Sequence, residues 1–523
     1  MTTAVTGLTF PPSSITRLPS TSPLAPLTAP LDVSFGLVTQ TIAQIANRHK
    51  RPRYTRLVRT VIDTAEGVRR GDLSAVAVLE ESLAAIGVHN DELNAFIHLD
   101  VDQAHRDAER IDERVAAGED PGPLAGVPFG VKDLDDCEGM PTGRGSLWYS
   151  GGPPMTSDSI HVHRLRQAGA VAVGKTAVPE FGFWAYTNNR VTGVTRNPWD
   201  LSRTPGGSSG GSAASVSAGL VPFATSSDGG GSTRTPAGFC GLVGHKPSFG
   251  RIPDLRGSRY AQTAAAGALA TTVADAARLL DVMSGPHAQD RTSLPPAGVV
   301  YKQQIERLDT TGLRVGWSVD LGFAIVDPQV AAVTHTAAQA LISSANLTPV
   351  DIDVCFDDLI PIWAQLESVD RWVGLPPGLW PDRGDDLDPG VRPAFERTSS
   401  MTVVQYAAAM TRRREIEMEL AALFDRIDVL LTPTSAITAF AAEGPMPTEI
   451  NGQKAPPAGA VPFAMMANLW GTPAASVPAG VSTEGLPIGL HIVGNRHADD
   501  VVLRLARVLE QSRPWPRHAP GRS

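Results

Sequence analysis

The stretch "PGGSSGGSAASVSAGLVPFATSSDGGGSTRTPAG", residues 205–238, decides how the chain is read. Its first half, 205–219, is nearly all Gly, Ser and Ala, the composition of a flexible linker. A linker, however, is not followed at once by a helix-forming tail ("SAASVSAG") and then by an apolar run ("LVPFATSS", 220–227). Small-residue loop, helix, apolar strand and a second small-residue loop form the pattern of an α/β fold whose strand ends carry a site. In the second loop, 226–238, three glycines lead directly to Ser232.

The same alternation extends outward on both sides. Apolar runs at 126–131 ("GVPFGV"), 170–174 ("AVAVG"), 313–319 ("LRVGWSV") and 428–434 ("DVLLTPT") read as strands. Helical stripes lie between them. Ser74 caps Val76, Leu79, Leu83 and Ile86, and Ala104, Ala108, Ile111 and Val115 stop near Gly118. A helix over 272–284 carries Val273, Ala276, Leu280 and Met283, and another starts at Asp327-Pro328, a cap followed by Pro at the first helical position. The expected fold is α/β with a largely buried sheet. No internal repeat or boundary breaks 57–512. Residues 1–56 form a Pro/Ser/Thr-rich extension with one apolar patch, "FGLVTQTIAQIA", and 513–523 a C-terminal tail. The Pro/Gly/Asp-rich stretch 374–393 reads as a long loop, either an insertion or a lid.

Composition narrows the function. The 523 residues carry a formal net charge of −9, with 42% apolar and 19% charged residues, an ordinary globular balance. The densest basic run, "RHKRPRYTR" (48–56), reads as a solvated link, so no nucleic-acid partner is expected. Cys137, Cys240 and Cys355 are too few and too scattered for a disulfide framework or a structural zinc. No apolar run is long enough to span a bilayer, and the start lacks a secretory pattern. A cytoplasmic enzyme without membrane or metal is the expectation, and a homodimer is left open.

Two motifs mislead. "GAVAVGKT" (169–176) matches the phosphate-loop pattern, which would make the chain a nucleotide-binding protein. Its interior is Ala-Val-Ala-Val, and a core strand ending at Gly174 with Lys175 at the exit is the simpler reading. "GGSSG" (206–210) matches a nucleophile elbow, but "NPWDLSRTP" before it holds two prolines and cannot be a buried strand.

The chemistry lies in the second loop. Gly229, Gly230 and Gly231 can adopt conformations closed to other residues, and successive N–H groups there can form an anion-binding nest. A nest beside a serine hydroxyl is what acyl transfer requires, because the N–H groups hold the oxyanion that develops. Serine needs a base, and no His stands beside either loop. Lys132 ends the apolar run "GVPFGVKDL" and is the candidate. From its ordinary value of about 10.4, a lysine at neutral pH is uncharged only about once in 10³, so a base here needs burial or positive neighbours.

"GVPFGVKD", "GGSSGGSAA" and "SDGGGSTRTPA", with "GALATTVADAARLLDVMSG", "VLLTPT" and "NLWGTPAASVPAG…GLPIGLHIVG", resemble the amidase signature family over about residues 57–512. The resemblance implies one large α/β domain with a central mixed β-sheet covered by helices on both faces. It implies a Ser–Ser–Lys triad in which Ser232 is acylated, Ser208 bridges through a cis peptide, and Lys132 is the base. Backbone N–H groups of Gly229, Gly230, Gly231 and Ser232 would form the oxyanion hole. Gly229 departs from the Ile or Thr usual there. Ser209 is a supporting serine. Asp228 and Arg234 either brace the loop or form an ordinary surface pair. Phe183 and Trp184, in "PEFGFWAYTNN" (179–189), and the region 354–400 with Trp363, Trp372 and Trp380 are candidate pocket walls or core packing. The implied activity is hydrolysis of a small, apolar or aryl amide without cofactor, extending to anilides, esters or carbamates. The alternative within the family is the glutamine-hydrolysing component of a tRNA-dependent amidotransferase.

Overall fold

A computed structural model describes residues 59–255, 261–356 and 359–521. The extension 1–56, its apolar patch and the basic run 48–56 lie outside the described residues.

Eleven strands build one sheet: β1 (Phe96–Leu99), β2 (Pro128–Lys132), β3 (Val171–Thr176), β4 (Phe223–Asp228), β5 (Val243–Lys246), β6 (Ala265–Ala270), β7 (Arg314–Trp317), β8 (Thr348–Pro349), β9 (Val429–Pro433), β10 (Ala474–Val481) and β11 (Pro487–Gly494). Their spatial order is β1-β3-β2-β4-β6-β5-β10-β11-β9-β7-β8. β2 runs parallel to β3 and to β4, β9 and β8 run parallel to β7, and the remaining pairs are antiparallel. The sheet is mixed, as expected.

Both faces are covered, and the strands show why. Side chains alternate across a strand, so neighbouring residues enter different cores. Ala170 and Ala172 of the β3 segment face one core, Val171 and Val173 the other; Phe223 and Ala224 divide in the same way. On one face lie helices Val273–Met283, Pro328–Ser344 and Asp499–Ser512. On the other lie Ala75–Leu93, Val101–Ala116 and Gly210–Ser217, and further along Leu359–Val373 and Val403–Arg426. The predicted caps form: Ser74, Thr272 and Asp327 accept from N–H groups of their first turns.

Two segments are tied more closely than the sequence suggests. In the tail, Trp515 Nε1 donates to Thr271 O at 3.2 Å and Ala519 N to Ser217 O at 2.9 Å. The stretch 374–393 buries Leu379, Leu387 and Val391 with Phe395 in a core of its own.

Candidate active site

Lys132 closes β2 with its side chain fully buried. Its backbone N–H donates to Thr225 Oγ1 on β4 at 2.8 Å. Its Nζ lies 2.9 Å from Ser208 Oγ, 2.8 Å from Ser209 Oγ, 2.9 Å from Ser227 Oγ and 3.3 Å from Ser227 O. The two hydroxyls at 208 and 209 come from the loop that opens helix Gly210–Ser217, where the Gly207–Ser208 peptide is cis. Ser227 is the neighbour that sequence reading missed. The signal was the pleat of β4: Thr225 and Ser227 share the face that meets Lys132, while Ser226 and Asp228 turn to helix Arg234–Cys240. This cage suits an uncharged amine. Two N–H groups can go to Ser227 and Ser209, and the lone pair remains for the Ser208 hydroxyl.

The linker-like loop and the glycine loop meet. Ser209 N donates to Ser232 O at 3.3 Å. Ser232 is half-buried, and its hydroxyl makes no hydrogen bond among the described residues. Gly231 reaches this turn with φ +114°, a conformation that L side chains rarely adopt. Its N–H donates to Asp228 Oδ1 at 2.7 Å, so this expected oxyanion donor already has an internal acceptor.

Asp228 and Arg234 are a buried brace rather than a surface pair. Both side chains are 0% exposed, joined by Nε–Oδ2 at 2.9 Å and Nη2–Oδ1 at 2.8 Å. Burial alone would raise the carboxyl, but the charge and hydrogen bonds of Arg234, with Asn468, hold it below the usual carboxylate range. Arg234 Nη1 also meets His491 Nε2 at 3.0 Å. Arginine only donates, so Nε2 accepts and the ring proton sits on Nδ1, 3.2 Å from Thr432 Oγ1. Burial and the Arg234 charge keep His491 neutral, well below its ordinary value.

The aromatic region divides. A β-carbon on Gly182 would stand 3.2 Å from Ser208 Oγ, which places the segment carrying Phe183 and Trp184 beside that hydroxyl. Phe183 and Trp184 meet edge to face at 4.9 Å. Trp363 reaches the glycine loop and donates from Nε1 to Gly229 O at 2.5 Å. Trp372 and Trp380 instead meet each other at 5.8 Å in the satellite core around Leu379 and Phe395.

The nucleotide-binding reading is corrected here. "AVAVGKT" gives strand β3, buried at every residue. Lys175 is within the strand, not at its exit. Its Nζ donates to Asp135 O at 2.5 Å and Thr142 Oγ1 at 2.9 Å and lies 3.5 Å from the Asp133 carboxylate. An ammonium held this way cannot reach a phosphate. No helix among the described residues is long and apolar enough to cross a membrane.

The amidase family model matches residues 77–503. An acylamidase of Rhodococcus erythropolis is 34% identical over 481 residues, 88% of this chain and 97% of that protein. The amidase-like chain of a glutamyl-tRNA(Gln) amidotransferase from Cyanothece sp. is 35% identical over 475 residues, 84% of this chain and 95% of that one. Among solved structures, a bacterial aryl acylamidase of the amidase signature family superposes with a TM-score of 0.83 at 27% identity, covering 87% of this chain and 96% of the other.

Proposed function

The chain belongs to the amidase signature family and is a hydrolase of carbon–nitrogen bonds, and from that premise we propose that it cleaves small apolar or aryl amides through an acyl-enzyme on Ser232. The observation that carries the reading is the 2.9 Å contact between Lys132 Nζ and Ser208 Oγ, buried next to the loop that presents Ser232. In the proposed cycle, uncharged Lys132 takes the Ser208 proton as Ser208 takes that of Ser232. Ser232 Oγ then bonds to the amide carbon. The carbonyl electron pair moves to oxygen, where N–H groups of Gly229, Gly230 and Ser232 receive it, the Gly231 N–H being engaged by Asp228. On collapse the carbon–nitrogen bond breaks, and the proton returns through Ser208 to the leaving amine. Water repeats the sequence on the acyl-enzyme and restores Ser232.

Apolar or aryl preference is supported by Phe183, Trp184 and Trp363 beside the two serine loops. It is also supported by the likeness to an acylamidase and an aryl acylamidase. Anilides, esters and carbamates fit the same chemistry. The test is the purified chain alone on acetanilide, benzamide, an aliphatic amide and glutamine. Turnover of the aryl amides without ATP or a partner is expected. A second reading, glutamine hydrolysis within an amidotransferase complex, is favoured by the 35% identity to the amidotransferase chain. It predicts activity on glutamine only, dependent on partner chains.

A further inference from the structure

Helix Leu359–Val373 lies far along the chain from both serine loops, yet it sets one face on the glycine loop. Trp363, Glu367 and Arg371, spaced four apart, share that face. Glu367 is buried, accepts from Thr263 Oγ1 and pairs with Arg371 at 3.3 Å. Asp370 accepts from Ala261 N at 3.1 Å. These contacts fix the helix in register, and Arg371 lies over the Phe183 and Trp363 rings. The Trp363 indole is thereby held where its N–H meets Gly229 O at 2.5 Å. Its ring covers Gly230 so closely that a β-carbon there would stand 2.3 Å from Cζ2.

We propose that Trp363 is a positioning residue for the oxyanion hole, acting by anchoring the Gly229–Gly230 peptide; the inference rests on the reading of Ser232 as nucleophile. In a planar trans peptide the C=O and the next N–H point in opposite directions. The indole holds the Gly229 carbonyl on one side, so the Gly230 N–H is turned to the other side of the loop. The following peptide is held independently, through Gly231 N and Asp228. Two anchors, one from each flank, thus stop the flexible Gly229–Gly231 run from rotating its donors out of line as charge develops on the substrate oxygen. Preorganised donors of this kind act on the transition state and hardly on the ground state.

The test uses Trp363→Phe, which keeps a ring over Gly230 and removes only the N–H. An aryl trifluoromethyl ketone adds Ser232 Oγ to its carbonyl carbon, placing an alkoxide in the oxyanion hole. The matching secondary alcohol fills the same pocket without bonding. Trp363→Phe is expected to lower kcat about tenfold or more with little change in KM, and to weaken the ketone in parallel, because each misdirected donor costs part of the ~10²–10³ that a full donor supplies. The alcohol should bind as before, which also shows that the pocket is folded. Thr263→Val, which releases Glu367 without touching Trp363, should shift ketone affinity in the same direction. Unchanged kcat and ketone affinity would overturn the proposal, as would equal losses for ketone and alcohol, since that marks a pocket wall. Ser232→Ala separates the two readings. If it binds the ketone like the unaltered protein, the nucleophile reading fails. If it loses the ketone while Trp363→Phe retains it, only the Trp363 inference fails.

Discussion

Replacing Asp228 by Asn tests the brace beneath the glycine loop. The side chain is nearly isosteric, so packing is preserved while the charge is removed. The carboxylate receives Gly231 N at 2.7 Å, Thr233 N at 3.2 Å and Asn468 Nδ2 at 3.0 Å, besides the two-point contact with Arg234. In the variant the guanidinium stays at 0% exposure without a counter-charge, and an amide N–H₂ faces other donors. Leaving one partner of a buried pair uncompensated costs about 3–5 kcal/mol, against about 0–1 kcal/mol for an exposed pair. Arg392–Glu396, at 43% and 50% exposure, is such an exposed pair. Urea unfolding followed by tryptophan fluorescence should show a lower midpoint at unchanged slope. The pH dependence has a definite sign. The folded carboxyl is depressed, so its contribution is complete above the ordinary value of about 3.9 and is lost only as pH falls below it. The gap between Asp228→Asn and the unaltered protein should be flat from neutral to mildly acidic pH and narrow only in stronger acid. A gap of under about 1 kcal/mol, or one erased by moderate salt, would refute the reasoning, because a buried pair is barely screened.

Lys132→Ala and Ser208→Ala should each lower kcat by about 10³-fold or more, and the double variant by little more than either, because the groups act as one relay; additive losses in steady-state kinetics would argue for separate roles. Lys175→Met should destabilise by about 3–5 kcal/mol by stranding buried Asp133, seen as a lower urea midpoint, with no nucleotide altering either protein's melting temperature. Asp275, raised by burial from 3.8 to about 6, gives the opposite pH sign to Asp228. Between about pH 4 and 6 the unfolded chain has lost this proton and the folded chain has not, so stability falls by about 3 kcal/mol across that range. Asp275→Asn should therefore gain in melting temperature relative to the unaltered protein on going from pH 4.5 to 7.5, and parallel curves by calorimetry would count against it.

Legibility followed the range of the interaction. Caps at Ser74, Thr272 and Asp327 involve neighbours within three residues, and the sequence shows them. Strands with β-branched or aromatic runs, such as 128–132 and 171–176, declare themselves. Ala265–Ala270, "AAGALA", does not, because alanine and glycine carry little strand preference; its state is imposed by pairing on both sides with β4 and β5. The Lys132–Ser208 contact was legible because the resemblance supplied its spacing. Burial was not. Lys175 and the Asp228–Arg234 pair look like surface charges in the sequence and are buried because Asp133 in one case, and Asn468 and His491 in the other, arrive from elsewhere. The Trp363 contact joins positions 134 apart, so the sequence could mark an aromatic region but not which ring meets the loop.

The central question is which oxygen becomes acylated. An aryl sulfonyl fluoride, incubated with the purified protein and mapped by peptide mass spectrometry, reads this directly. One adduct on Ser232 is predicted, lost in Ser232→Ala and slowed in Lys132→Ala. Modification at Ser208, Ser209 or Ser227 with Ser232 untouched, or labelling that survives Ser232→Ala, would contradict it.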